Sequence, residues 1–596
     1  MAFFVENTGM EVYMNFAAIY HRTDENYCYP LCENRILISI KTGYDIDKVV
    51  LYYGDPFSHG IAGGNDNWKG VPVEITKCIH LKYHKLWQVE VVPEFKRCKY
   101  YFELHSGEEV MCMMEDDFYP PSHMTNTGAT GQYFMFPWLN KGDIVKVPEW
   151  VKDTVWYQIF PERFCNGNPE RNNEYVKPWR SEKVSWDDWY GGDLEGITMK
   201  LQYLYDLGIT GIYLNPIFLA GSNHKYETTD YEIIDPGFGD DKVLRNLVDT
   251  AHSMGIRIML DGVFNHCGHM NPRWLDVVEK GPDSEWYDWF FVNKWPFDKG
   301  SDTRDGKYYS FAFAAWMPKL NTNNKEVINY LTNVCKNWIK KYDIDGIRFD
   351  VGNEVSHLFL KHLNKELKAI KPDFYLMGEI WNDSESWLKG DEYDAVMNYP
   401  LVNSVTAFWT NDNFDNKEFE YALNRCYNLY RRQQMEVAFN LFDSHDTDRI
   451  MHRVNNNIDA LYQQIILLFT MAGSPCIYYG TEIGMRGSFD PDCRRCMPWD
   501  EIESGKYDER IDFVKKIIKL RKSIKAFKTL DVEYIYDIDN GKVLHYKKQD
   551  NSGHKYHIIL NCSKNQISYE INGKILLSNK YDNGRILQNG AVIYEE

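Results

Sequence analysis

Ile344-Asp-Gly-Ile-Arg348-Phe-Asp350 is an apolar run that carries a guanidinium inside it and a carboxylate where it stops. Read as a strand, it projects Arg348 and Asp350 from one face, because alternate side chains on a strand share a side. Four other stretches stand out beside it: Gly378-Glu379-Ile-Trp381, Ser444-His445-Asp446, Asp261-Gly-Val-Phe-Asn265-His266 and Met317-Pro-Lys-Leu-Asn321. Asp350, Glu379 and Asp446 each arrive as a lone carboxylate where an apolar run ends.

Outward from that strand the pattern repeats. VWYQIF (155–160), GIYLNPIF (211–218), IRIMLDGVF (256–264), FYLMGEI (374–380), DAVMNYP (394–400), VAFNLFDSH (437–445) and SPCIYYGTE (474–482) complete eight candidate strands. Helical stretches such as 241–255 and 324–342 lie between them. Eight β-then-α units predict an α/β fold, a (β/α)8 TIM barrel over 151–529, with its active site at the C-terminal strand ends. The segment after strand three holds Trp286, Trp289, Trp295 and Trp316 and is too long for a plain loop, so an inserted lobe is expected over about 267–321. Residues 1–120 alternate between apolar and polar and predict an N-terminal β-sandwich. Residues 121–150 read as a linker, and alternation returns over 530–596, which predicts a C-terminal β-sandwich.

Composition narrows the function classes. A chain of 596 residues exceeds one compact core, and 44% apolar residues make disorder a poor explanation for its length. A net charge of −19 argues against nucleic acid or an anionic membrane as partner and fits a neutral substrate. The 15% aromatic content serves both a large core and stacking surfaces for sugar rings. No run approaches twenty apolar residues, and residues 1–22 lack a basic start followed by an apolar stretch and a cleavage site. The 13 cysteines are odd in number and scattered, with Cys493 and Cys496 as the one C-x-x-C pair. Reduced thiols and a cytoplasmic location follow as expectations.

Separate strands delivering carboxylates to one site suit glycosidic bond cleavage, which needs a protonated carboxyl at the leaving oxygen and a second carboxylate at the anomeric carbon. Arg348 is expected to hold Asp350 ionised, as a nucleophile requires, and the apolar setting of Glu379 to raise its pKa for acid work. Asp261, Asn265, His266 and His445 offer hydrogen bonds to ring hydroxyls. Singly, each has a structural reading: Asp after a strand caps helices, and Arg348–Asp350 makes an ion pair. Their conjunction at barrel strand ends carries the functional one.

On these motifs the chain resembles the alpha-amylase family of retaining glycoside hydrolases over about residues 150–510. The resemblance implies Asp350 as nucleophile, Glu379 as general acid/base and Asp446 as transition-state stabiliser. It likewise implies that Arg348, His266, His445 and Tyr226 hold the sugar at the cleavage subsite. Met317-Pro-Lys-Leu-Asn321 and Val351-Gly-Asn-Glu354-Val resemble the neopullulanase, cyclomaltodextrinase and maltogenic amylase subgroup, with Glu354 and Trp381 expected on the acceptor side. The N-terminal sandwich, with YYGDPF, Trp68 and Trp87, is similar to the starch-binding-type module of that subgroup, which in relatives often builds a homodimer and caps the partner's cleft. Glu227 and Tyr190 depart from the usual family residues (Asp and Phe), away from the three carboxylates. Asn166, Asn168, Asn172, Gly191 and Asp193 resemble a calcium loop, but an amide-rich set is expected to bind calcium weakly.

The expected activity is double-displacement cleavage of α-1,4 bonds, with some α-1,6, in cyclodextrins, maltodextrins, pullulan or starch. A 4-α-glucanotransferase is the alternative, differing in whether sugar or water intercepts the glycosyl intermediate. A non-catalytic glycan-binding protein is disfavoured because all three carboxylates are present.

Overall fold

A computed structural model describes residues 14–58, 68, 70–125, 132–179, 182–298 and 300–596, so most of the N-terminal stretch read above for a leader lies outside the described residues. The chain divides into two compact units. One comprises Met1–Lys146 with Lys417–Gln433, the other Val147–Asn416 with Gln434–Glu596.

The first unit is two antiparallel sheets. One orders Cys28–Cys32, Arg35–Thr42, Lys85–Val91 and Lys77–His80, and the other is built around Lys48–Gly54, Cys98–Ser106 and Glu109–Met113. Alternation puts Ile36, Ile38 and Ile40 of one sheet against Val49, Leu51, Phe102 and Leu104 of the other. Two features differ from the linear reading. Phe134–Phe136, inside the stretch read as a linker, pairs with Cys98–Ser106 as a strand. Residues 417–433, read as part of the barrel, belong to this unit. Asn428 is bonded there by Asn26 (2.7 Å) and Gln88 (3.0 Å), and Arg432 pairs with Glu90 at 2.7 Å. Trp68 and Trp87 are buried at 4% and 6% exposure, so neither indole offers a sugar-stacking face.

The second unit contains the barrel. Its strands are β1 (Trp156–Ile159), β2 (Gly211–Leu214), β3 (Arg257–Gly262), β4 (Gly346–Phe349), β5 (Tyr375–Gly378), β6 (Ala395–Val396), β7 (Phe439–Asn440) and β8 (Ser474–Tyr478). They pair in parallel in the order 6-5-4-3-2-1-8-7, and a parallel bridge between Met397 and Phe439 joins the two ends. β2, β4 and β5 are buried at every position, the pattern of a parallel sheet covered on both faces. Helix α1 (Asp241–Ser253) buries Leu244, Leu247, Val248 and Ala251 at helical spacing, and Asp240 caps it. Helix α2 (Lys325–Tyr342) starts on the Asn324 cap, four residues after Leu320.

The lobe after β3 is real structure. A helix, Pro272–Lys280, lies in it, and Arg273 sits over Trp286, Trp289 and Tyr330. Its returning segment bridges back to the strand-three end through His266–Lys319. The C-terminal residues form a six-stranded antiparallel sheet in which Arg585–Glu595 pairs with Lys555–Asn561, Ile567–Ser568 and Lys574–Asp582. Among the described residues no helix is long and apolar enough to cross a membrane.

Candidate active site

Asp350 follows β4 directly and Glu379 follows β5, so ring closure brings their carboxylates to the same end of the barrel. Arg348, one turn of the pleat below Asp350, connects them. Its Nη1 donates to Asp350 Oδ1 (2.9 Å) and to both oxygens of Asp261 (2.9 Å each). Its Nη2 lies 2.7 Å from Glu379 Oε2. Asp261 also accepts from Tyr213 (2.6 Å) and Tyr226 (3.0 Å).

Arg348 and Asp261 were expected to hold sugar. The structure buries both side chains completely beneath Asp350 and Glu379, so they form the charged floor of the site and not its wall. One guanidinium faces three buried carboxylates, and this alters the expected ionisation. Burial pushes Asp350 well above the usual carboxylate range, with Arg348 opposing and Glu379 and Asp261 adding to the rise. Burial also raises Glu379, and it lifts Asp261 to about 6. Arg348 contacts Asp350 as expected and opposes that rise, but one guanidinium does not balance three carboxylates, so the pocket favours keeping a proton among them.

Glu379 Oε2 accepts the Val351 N–H (3.1 Å), and its Oε1 accepts the Trp381 indole N–H (3.3 Å). Val351 delivers that N–H from φ 47°, a left-handed conformation unusual for a β-branched residue. Trp381 is 41% exposed and stacks on Tyr399 with centroids 3.7 Å apart. Asp446 lies on the loop after β7, its side chain 32% exposed, with Oδ2 3.1 Å from His445 Nε2 and Oδ1 3.3 Å from Arg494.

A second network orients the histidines. Gln158 Nε2 donates to Asn215 Oδ1 (3.1 Å) and to His445 Nδ1 (2.8 Å), which leaves the His445 proton on Nε2, facing Tyr226 Oη at 2.5 Å. Tyr226 stacks on the His445 ring and passes its own proton toward Asp261. Burial, with Arg494 and Arg348 nearby, keeps His445 neutral. His266 stacks on Phe311, donates Nε2–H to the Tyr226 carbonyl (3.1 Å), and is pushed down to about 3 by burial. Glu354 pairs with Lys319 at 3.0 Å. Glu227 is bonded to Ser222, and Tyr190 is fully buried with its hydroxyl on Asp188 (3.3 Å).

These side chains line a cleft of about 800 Å³ in which Asp350, Glu379, Asp446, Tyr226, His266, His445, Glu354 and Trp381 converge. Trp186, Phe313 and Trp316, each about half exposed, add aromatic faces to it. Sequence reasoning missed Gln158 and Asn215, whose signal was a polar amide inside an apolar strand. It also missed Asp490 and Arg494, a pair 3.0 Å apart in the cleft wall, which no local pattern marks.

The amide-rich loop lies elsewhere, since none of its five residues lines the cleft. Asp193 spends its carboxylate on the N–H groups of Gly167, Asn168 and Gly196. Asn168 Oδ1 accepts from Glu170 N (3.2 Å), and Asn172 Oδ1 from Asn166 Nδ2 (3.2 Å). Asn166 Oδ1 is buried without a hydrogen-bond partner. Gly191, at φ +77°, approaches so closely that a Cβ there would meet Asn172 Oδ1 at 2.3 Å. A buried amide oxygen without a partner is a ligand type that a hard cation takes, but the set offers little charge to hold one.

Known proteins resemble the chain over most of its length. The model of the alpha-amylase catalytic domain matches residues 158–550, and that of the alpha-amylase N-terminal Ig-like domain matches 14–140. A maltogenic alpha-amylase of Bacillus acidopullulyticus is 41% identical over 584 residues, 97% of each chain. An intracellular maltogenic amylase of Bacillus subtilis (strain 168) is 41% identical over 510 residues, 85% of this chain and 84% of the relative. A solved cyclomaltodextrinase superposes with a TM-score of 0.86 at 35% identity, covering 98% of both chains.

Proposed function

The chain belongs to the alpha-amylase family and is a glycoside hydrolase acting on α-glucans; from that premise we propose that it opens cyclodextrins and shortens maltodextrins at α-1,4 bonds with retention of configuration. The observation that carries this reading is the meeting of Asp350, Glu379 and Asp446 in one aromatic-walled cleft above Arg348. In the proposed sequence Glu379 gives its proton to the leaving glycosidic oxygen while Asp350 attacks the anomeric carbon, forming a glycosyl ester. Glu379 then takes a proton from water, and the resulting hydroxide displaces Asp350. Asp446, beside neutral His445, accepts hydrogen bonds from the distorted ring, and Trp381 stacks with the acceptor sugar. The excess negative charge around Arg348 favours keeping one proton in the pocket, and this reading puts it on Glu379, with Asp350 ionised against Arg348 Nη1.

Parallel initial rates on β-cyclodextrin, soluble starch and pullulan test the proposal. Cyclodextrin opening faster than starch attack supports it, and starch preferred over cyclodextrin rejects the cyclodextrin preference. No hydrolysis of any, with transfer to added maltose, favours a glucanotransferase.

Location, assembly and calcium are proposed as well. The intracellular description of the Bacillus subtilis relative supports a cytoplasmic location, which fractionation of the source cells tests. The family resemblance supports a homodimer through the N-terminal unit, and a monomer mass in sedimentation would reject it. Calcium, where bound, would be held weakly by Asn166, Asn172 and Gly191 as a structural ion; an unchanged Tm on adding calcium to chelated protein would reject the site.

A further inference from the structure

Lys319, the middle residue of Met317-Pro-Lys-Leu-Asn321, has all three ammonium protons engaged. One goes to Asn265 Oδ1, one to the Glu354 carbonyl (3.2 Å) and one to Glu354 Oε2 (3.0 Å). Its backbone is held as firmly: Lys319 N donates to Tyr309 O (3.0 Å), and the flanking residues bond back to the strand-three end through Cys267 N to Pro318 O (3.1 Å) and Leu320 N to Asn265 O (3.0 Å). Asn265, fully buried, continues the chain with Nδ2 facing His266 Nδ1 at 3.3 Å, and His266 Nε2 faces the Tyr226 carbonyl at 3.1 Å.

The polarity of this chain has a single solution. An ammonium only donates, so the atom Asn265 presents to it is the amide oxygen. The amide nitrogen therefore points at His266 Nδ1, which must accept, and the carbonyl of Tyr226 can take only an Nε2 proton. A proton on both His266 nitrogens would set N–H against N–H unless Asn265 turned over, and turning it over would set its NH2 against the Lys319 ammonium.

We propose that Lys319 is a positioning residue: through Asn265 it holds His266 as the neutral Nε2–H tautomer at the sugar-binding wall, while the same ammonium fixes Glu354 on the loop after strand four. The inference rests on the reading of this cleft as the hydrolytic site. Other charged and titratable groups that face His266 are Glu227 and His224 from the loop after β2, with Phe311 of the lobe stacked on the ring. Burial lowers His266 most and Lys319 adds to the lowering, whereas Glu227 opposes it. One cation thus links the lobe, strand three and the loop after strand four.

The test uses the full-length chain labelled with 15N-histidine, the His266 signal being identified by its absence from His266→Gln. In the parent protein His266 Nδ1 is expected to resonate as a hydrogen-bonded acceptor with the proton on Nε2. Lys319→Met should move Nδ1 toward the free-acceptor position, because Asn265 is then no longer held with its amide nitrogen toward the ring. Lys319→Arg, which keeps charge and donors, should retain the parent signal. Should Lys319→Met fold poorly, Asn265→Asp serves instead: its carboxylate still accepts from Lys319 but can only accept from Nδ1, so His266 should gain a proton nearer neutrality. Unchanged His266 signals in folded Lys319→Met or Asn265→Asp overturn the inference. The nitrogen signals require no turnover, so loss of the hydrolytic reading and loss of this one are separately visible.

Discussion

At the scale of single residues, Asp350 and Glu379 are chemically alike and are separated by what they touch. Asp350→Asn should cut turnover by several orders of magnitude while substrate still binds, and turnover near the parent level would remove it as nucleophile. Glu379→Gln should fail on maltodextrins yet regain its first step with an aryl glycoside whose leaving group needs no proton, and absence of that rescue would reassign the acid. Arg348→Met addresses the floor of the site. It strands Asp261, Asp350 and Glu379 without a counter-charge, a change of about 3–5 kcal/mol for a broken buried pair. Because folded-state pKa values of these carboxyls are raised, their favourable contribution is present at low pH and lost as pH rises through them, with Asp261 titrating at about 6. The stability deficit of Arg348→Met should therefore be larger at pH 8 than at pH 5 in calorimetry. A deficit independent of pH would mean that the three carboxyls do not share their protons.

At the scale of elements, the barrel strands are short and the capped helices carry much of the local definition. Asn324 accepts the N–H of Glu326 (2.8 Å) and of Val327 (3.4 Å) at the start of helix α2, directly after the Met317–Asn321 segment. Asn324→Ala should cost about 1 kcal/mol, as lost N-caps do, and denaturant unfolding followed by fluorescence would read it. No loss would place the helix start elsewhere. The elements were largely legible beforehand: eight apolar runs, each two-sided in burial, and amphipathic helices between them. The inner arrangement of the lobe was not, since its turns are set by aromatic packing around Arg273, and aromatic residues at irregular spacing carry no period.

At the scale of the molecule, the N-terminal unit is discontinuous in sequence. Residues 417–433, which sit between barrel strands six and seven along the chain, complete it through Asn424, Asn428 and Arg432. A fragment ending at Lys146 is thus missing part of its own fold. Its Tm should rise when a peptide spanning 416–433 is added, and an unmoved Tm would show that the fragment is self-sufficient.

Alternation, apolar runs and lone acids at their ends were enough to identify a barrel flanked by β-rich ends and to name Asp350, Glu379 and Asp446, because each of those signals is written within a few neighbouring residues. The sharing of Arg348 among three carboxyls, the burial of Asp261 out of the cleft, the wall made by Asp490 and Arg494 and the Lys319–Asn265–His266 chain were not written locally. They arise only when strands distant in sequence close into a ring, for burial and hydrogen-bond direction are properties of what surrounds a side chain in space.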